Sequence, residues 1–405
     1  MFVVPIRKTG DVLRAAGLVL FVAVILGAAL NTRAQSQPAH TSKPVGPPLD
    51  ITVPIAPTAF RAAGEWNLVY ELHIANLGKW DCTIQKIVAI AIGGKASHQF
   101  EFIHKALELN IVHPGQDTTD PAKIAAGSFA VVYMWLELSE SDGPVTPPNA
   151  LMHRIEMKIG DYPEAISLDG VPVTVNSSPV LVISSPLRGE NWLAGNGPSN
   201  TSLHRRALIP INGHAYISQR FAIDWVQVYP DGKTFHGDLS DNKNYRAYGA
   251  EIHAVADGVV TAAKDGIQQN TPGAKSFAVP ITLETIGGNH VIMEIGNGLY
   301  AFYAHMVQGS VRVKVGDKVR RGEVLGLLGN SGNSSEPHFH FQICNANSEL
   351  GSEGLPYAFA SYEQQGIGSI SDPTPAGPPP TTFFPTPVKH EMEIPLENHI
   401  VRFSP

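Results

Sequence analysis

Two histidines one residue apart, His338 and His340 in SGNSSEPHFHF (Ser331 to Phe341), are the side chains best placed for chemistry. Side chains on a strand alternate with a period of two, so both imidazoles face one space. Two imidazoles sharing a space suit a metal ion or a proton relay. A bare HxH pair also occurs as two surface histidines on a polar strand. Here a Gly/Ser/Asn-rich turn feeds the pair, and a second histidine phrase, YAHM (Tyr303 to Met306), lies upstream. His305, His338 and His340 on neighbouring strands would form one cluster.

The elements that must hold these residues read as strands and Gly turns from Ala207 onward. YGAEIHAVADGVV (Tyr248 to Val260) and VGDKVRRGEVLGLLG (Val315 to Gly329) both alternate apolar and polar residues around a Gly turn. The pattern predicts related β-hairpins in a flattened barrel. GNHVIMEIGNGLYAFYAHM predicts two strands joined at Gly296-Asn297-Gly298, with His305 near the end of the second. Asp257 reads as a turn residue, and His290 alternates away from Val291 and Met293 toward solvent. Asn330 and Asn333 would shape the loop at the rim of a substrate groove, where their amides could hold a substrate backbone.

Residues 50–183 read as a β-sandwich. LVYELHI (Leu68 to Ile74), Ile84 to Ile92 and SFAVVYMWLEL (Ser128 to Leu138) are β-rich runs between Gly, Asp and Pro, with Val171 to Ile183 as the closing strand. Its histidines, His73, His98, His104, His113 and His153, are scattered, and a packing or partner-binding role is expected. A turn-rich bridge at 184–204 carries Trp192, expected to lie across the domain interface. After residue 365 comes a tail, extended and poorly packed from Ile370 to Pro387, from which IPLENHIVRF (Ile394 to Phe403) could return as a strand.

The 405 residues allow two or three domains, and 43% hydrophobic composition supplies ordinary cores. A net charge of -7 without a basic run beyond the N-terminus argues against nucleic acid as a partner. Arg7, Lys8 and Arg14 precede an apolar run from Ala15 to Leu30, followed by Thr32-Arg33-Ala34. Residues 1–34 therefore read as an export signal, residues 35–49 as a linker, and the membrane as a partner only through the signal if it stays uncleaved. The expected location is the periplasm, the cell envelope or outside the cell. Cys82 and Cys344 fall in different predicted domains and read as free thiols; without CxxC spacing they form no zinc site.

In combination, RFAID (Arg220 to Asp224), YGAEIHAVADGVV, YAHM and GNSGNSSEPHFHF resemble the LytM/lysostaphin-type zinc metalloendopeptidases, which cleave peptide links in bacterial peptidoglycan. The resemblance implies a LytM-like peptidase domain at 205–365, one zinc ion, and peptidoglycan or another exported peptide as substrate. It assigns Asp224 and His340 as metal ligands and His305 and His338 as the catalytic pair. A three-ligand zinc with an open position lowers the pKa of a bound water toward about 7 and polarises a carbonyl, the chemistry of peptide hydrolysis.

One position departs from the family's HxGxD phrase. Arg220 stands where the family has its first ligand His, and Ala222 replaces the Gly. A guanidinium has no lone pair for a metal. Three readings follow. A replacement third ligand, with His214, His236 and His253 as candidates, would keep the enzyme working. Arg220 paired with Asp224 would leave a binding domain. A catalytically silent amidase-activator module would keep its histidines as remnants.

Overall fold

The computed structural model describes residues 46–94, 99–139, 145–369 and 381–404. The proposed signal segment, most of the linker, His98 and the PPP stretch lie outside them. Among the described residues no helix is long and apolar enough to cross a membrane.

The described residues are mainly β, with one short α-helix among them at His104–Glu108. The described residues between 49 and 174 form two antiparallel sheets. One runs Leu49–Thr52, Glu65–Asn76, Phe129–Leu138, Ile111–Val112; the other runs Ile166–Thr174, Ala150–Ile159, Cys82–Ile92, Gln99–Ile103. Alternation explains the core between them: Leu68, Tyr70, Leu72 and Ile74 of one sheet meet Ile84, Ile87, Ile155 and Met157 of the other. The opposite face of Glu65–Asn76 is buried as well, at Asn67, Val69 and Glu71. Val69 joins Phe60, Phe221 and Trp225 in a second core, so the sandwich packs on the sheet that follows it.

That sheet has 11 strands, in the order Leu181–Ile183, Tyr357–Ile367, His399–Phe403, Gly189–Gly195, Ile223–Gln227, Phe339–Cys344, Tyr300–Met306, Asn289–Glu294, Gly258–Lys264, Lys318–Val319, with Thr382–Glu393 beside Tyr357–Ile367. The path does not close on itself among the described pairings. Trp225, Phe339, Phe341 and Tyr303 fill the core on one face. Asp224, His340 and Gln342 alternate onto the other.

Several local expectations change. Val171 to Ile183 is not one strand: the first ends at Thr174, and Leu181–Ile183 pairs in parallel with Tyr357–Ile367 in the larger sheet. The bridge contains the strand Gly189–Gly195, and Trp192 is buried in the core under that sheet, its Nε1 donating to the Arg188 carbonyl at 2.8 Å. The two Gly-turn segments pair with each other, Glu251–His253 with Val324–Leu327 and Gly258–Lys264 with Lys318–Val319, instead of each closing on itself. From residue 382 the tail is an edge strand, and its Pro385 and Pro387 fall at an irregularity in the ladder, where a missing N–H costs no pairing. Ile394 to Phe403 supplies only His399–Phe403 as strand. Cys82 and Cys344 are both buried and free.

Candidate metal centre and histidine cluster

Register brings the first two residues together. Asp224 lies directly opposite His340 on antiparallel strands, and Oδ1 of Asp224 is 2.9 Å from Nδ1 of His340. His338, two residues earlier on the same face, places Nε2 3.5 Å from the same oxygen. His305 arrives by another route. It sits at an irregularity where Asn289 pairs with Met306 but Val291 pairs with Tyr303, and its φ is +62°. A bulge residue in this conformation redirects its side chain, here to 4.7 Å, ring to ring, from His338 and 5.9 Å from His340.

The third group was not anticipated. His204, inside the bridge, places Nε2 3.3 Å from Oδ2 of Asp224, and its ring meets His340 edge-on at 4.8 Å. Ligand atoms of His204, Asp224 and His340 lie within 4.8 Å of one another. His214 and His236 are exposed, and His253 bonds through Nδ1 to the Gly322 carbonyl at 3.1 Å; none belongs to this group. The only sequence signal for His204 was its residue type, because it stands in a turn-rich segment with no periodicity to aim it.

Arg220 points elsewhere. Residues 217–222 form turns, with Arg220 N bonded to the Ile217 carbonyl and Ala222 N to that of Gln219, so the strand toward Asp224 begins only at Ile223. The guanidinium is buried in a two-pronged pair with Glu71, Nε to Oε1 and Nη2 to Oε2 at 3.0 Å each, and also reaches Glu353 Oε2 at 2.7 Å and the Gly354 carbonyl at 2.9 Å. Gly354 lets the backbone of Ser218 and Arg220 pack this closely: a Cβ there would stand 2.4 Å from the Ser218 carbonyl oxygen and 2.8 Å from Arg220 N. The Arg220–Asp224 pair of the second reading is not formed.

Two further expectations are corrected. Asn330 is fully buried, its Nδ2 donating to Asn242 Oδ1 at 2.9 Å and its Oδ1 accepting from Ser334 Oγ at 2.6 Å, so its amide is committed inside the protein; Asn333 is exposed. His290 is half-buried against Phe302, with Nδ1 bonded to the Gly288 carbonyl.

Hydrogen bonds set the tautomers. Gln342 donates Nε2 to the Glu349 carbonyl at 3.0 Å, so its Oε1 accepts from Nε2–H of His340 at 3.0 Å. A neutral His340 then turns the lone pair of Nδ1 toward a carboxylate oxygen. Two acceptors at 2.9 Å repel unless a proton or a cation lies between them. Without a metal the protein chooses the proton: burial opposes charge on His340, but the hydrogen bond and charge of Asp224 prevail and raise its pKa. Burial would raise the Asp224 carboxyl too, yet His204, His338 and His340 together hold it well below the usual carboxylate range. Burial, helped by neighbouring imidazoles, lowers His204 to about 4 although Asp224 opposes it, and brings His305 well below the ordinary histidine value. His305 Nδ1 bonds to the Ser331 carbonyl at 2.8 Å and His338 Nδ1 to that of Glu336 at 2.9 Å, so neither Nε2 takes part in these bonds, and that of His338 faces Asp224.

Two imidazoles and one carboxylate are a donor set that zinc takes at catalytic sites. The supports around them suit that use. Gln342 orients His340, and Asn196 donates Nδ2 to Asp224 Oδ2 at 2.9 Å. The residues present fit the metal.

The model of Peptidase family M23 matches residues 244–351, which include His305, His338 and His340 and begin after Asp224. Glycyl-glycine endopeptidase ALE-1 of Staphylococcus capitis is 39% identical over 86 residues, 21% of this chain and 23% of its own. Peptidoglycan DD-endopeptidase ShyA of Vibrio cholerae is 39% identical over 56 residues, 14% of this chain and 13% of its own. Lysostaphin of Staphylococcus simulans is 31% identical over 92 residues, 22% of this chain and 18% of its own. The chain thus matches less than a quarter of the length of these relatives. Among solved structures, the catalytic domain of lysostaphin from S. simulans is 22% identical, covering 41% of this chain and 88% of that one, with a TM-score of 0.23. With its His305, His338 and His340 inside the matched stretch, the chain carries a domain of Peptidase family M23, with lysostaphin among its relatives.

Proposed function

We propose that this protein is an exported zinc-dependent endopeptidase that hydrolyses peptide bonds of bacterial peptidoglycan. The observation that carries the reading is the convergence of His204 on Asp224 and His340, which restores a third metal-binding side chain where Arg220 has none to offer. Held by these three, zinc would supply Lewis acidity, drawing a water's pKa toward about 7 and polarising the scissile carbonyl.

The remaining work falls to His305 and His338. With its Nδ1 proton committed to the Ser331 carbonyl, His305 offers Nε2 as a proton acceptor, and its lowered pKa keeps that nitrogen neutral at physiological pH. His338 likewise keeps its proton on Nδ1 and turns Nε2 to the same space, where it can hold a proton for the departing amine. The two relatives whose printed names state an endopeptidase activity support a peptide substrate, and the apolar run at Ala15 to Leu30 supports export.

The alternative of a silent binding domain rested on Arg220 filling the metal position. Its guanidinium is instead occupied by Glu71 and Glu353, which removes that reason. The test joins metal analysis of the purified protein to digestion of purified sacculi. Stoichiometric zinc with release of soluble fragments bearing new amino termini is expected. No zinc, and no release after zinc is added, would end the enzyme reading.

A further inference from the structure

We infer that the N-terminal sandwich is part of the metal-holding apparatus: Glu71 clamps Arg205 and thereby fixes the loop that presents His204 to Asp224 and His340. The inference rests on the zinc-site reading above. Residues 196–208 contain no strand or helix, so no backbone ladder sets the place of His204. Its neighbour Arg205 is wholly buried. The guanidinium is ion-paired with Glu71, donates Nη2 to the Tyr70 carbonyl at 3.0 Å, and lies 5.0 Å from the centre of the Tyr133 ring. Asn200, four residues before the ligand, donates Nδ2 to Asn110 Oδ1 and to the Tyr133 carbonyl, both at 2.8 Å. All of these partners are sandwich residues.

Glu71 also takes the two-pronged bond from Arg220, just before the strand that carries Asp224. One carboxylate therefore links the His204 loop to the entry of the Asp224 strand, and the separation of the two prospective ligands is set through it. A loop without such an anchor would have to be ordered by the metal at a cost in affinity. Glu71 touches neither metal nor substrate and is a positioning residue.

The test measures zinc affinity of the full chain by competition with a chromogenic chelator, well below the unfolding temperature. Glu71→Gln and Asn200→Ala are expected to bind zinc about 10–100-fold more weakly, the range for outer supports of a metal site. Met157→Ala, which loosens the sandwich core away from the loop, is expected to lower Tm and leave zinc affinity unchanged. Native-like zinc affinity in Asn200→Ala together with a folded Glu71→Gln overturns the clamp, as does an equal loss in Met157→Ala. Should Glu71→Gln fail to fold, Asn200→Ala decides alone by the same criterion. A native chain that takes no zinc defeats the zinc-site reading and the clamp together, whereas tight zinc in every protein defeats only the clamp.

Discussion

Asp224 and His340 stand opposite each other on paired strands, with Oδ1 and Nδ1 2.9 Å apart and the far nitrogen of the ring held by Gln342. Gln342 thus dictates which nitrogen of His340 faces the carboxylate. Gln342→Leu should weaken zinc binding about 10–100-fold, read by chelator competition. Unchanged affinity would show that ring orientation is set elsewhere.

His204→Ala removes a prospective ligand instead of a support. Zinc affinity should fall by more than the roughly 100-fold upper range for supporting residues, and hydrolysis should disappear, while the circular dichroism spectrum stays native. A variant that keeps one tightly held zinc would show that His204 is not a ligand.

For His305→Ala and His338→Ala the expected pattern is the reverse. Zinc content should remain near native while kcat falls about 10²–10⁴-fold, the usual worth of positioned acid–base groups. Undiminished turnover in either variant would remove that residue from the proton path.

Arg220→His would restore the residue type of the family motif at a position whose turns aim it away from Asp224. It strips Glu71 and Glu353 of a buried partner, so chemical denaturation should report a loss of about 3–5 kcal/mol. Zinc affinity should not improve. A tighter site would mean that residue 220 can reach the metal position after all.

His399 makes stability depend on pH. Burial first, then the charge of His390, lowers it from 6.5 to about 4, and its Nδ1 is enclosed without a partner. Between these values the unfolded chain takes up a proton that the folded chain refuses. The stabilising contribution is therefore complete above pH 6.5 and is lost as pH falls toward about 4. Tm measured from pH 7 to 4 should fall less steeply in His399→Gln than in the native chain; parallel curves would exclude His399 as the cause.

Much of the architecture was legible in local pattern. Alternation over Leu68 to Ile74 and Ser128 to Leu138 and the Gly296-Asn297-Gly298 turn announced strands and a hairpin, because strand faces and turn conformations depend on residues a few positions apart. The pairing of the Gly-turn segments with each other was not legible: Glu251 to His253 could close locally or on Val324 to Leu327, and only packing selects between them.

By itself the sequence determined that His338 and His340 share a face and that Arg220 can give nothing to a metal, since both follow from strand period and side-chain chemistry. Tertiary structure alone decided that Arg220 answers Glu71, 149 residues away, and that His204 takes a place beside Asp224. Those choices depend on how the sandwich packs against the larger sheet. A residue in an aperiodic loop is aimed by what anchors the loop, here Glu71 and Tyr133 acting on Arg205, and such anchors leave no periodic trace in the chain.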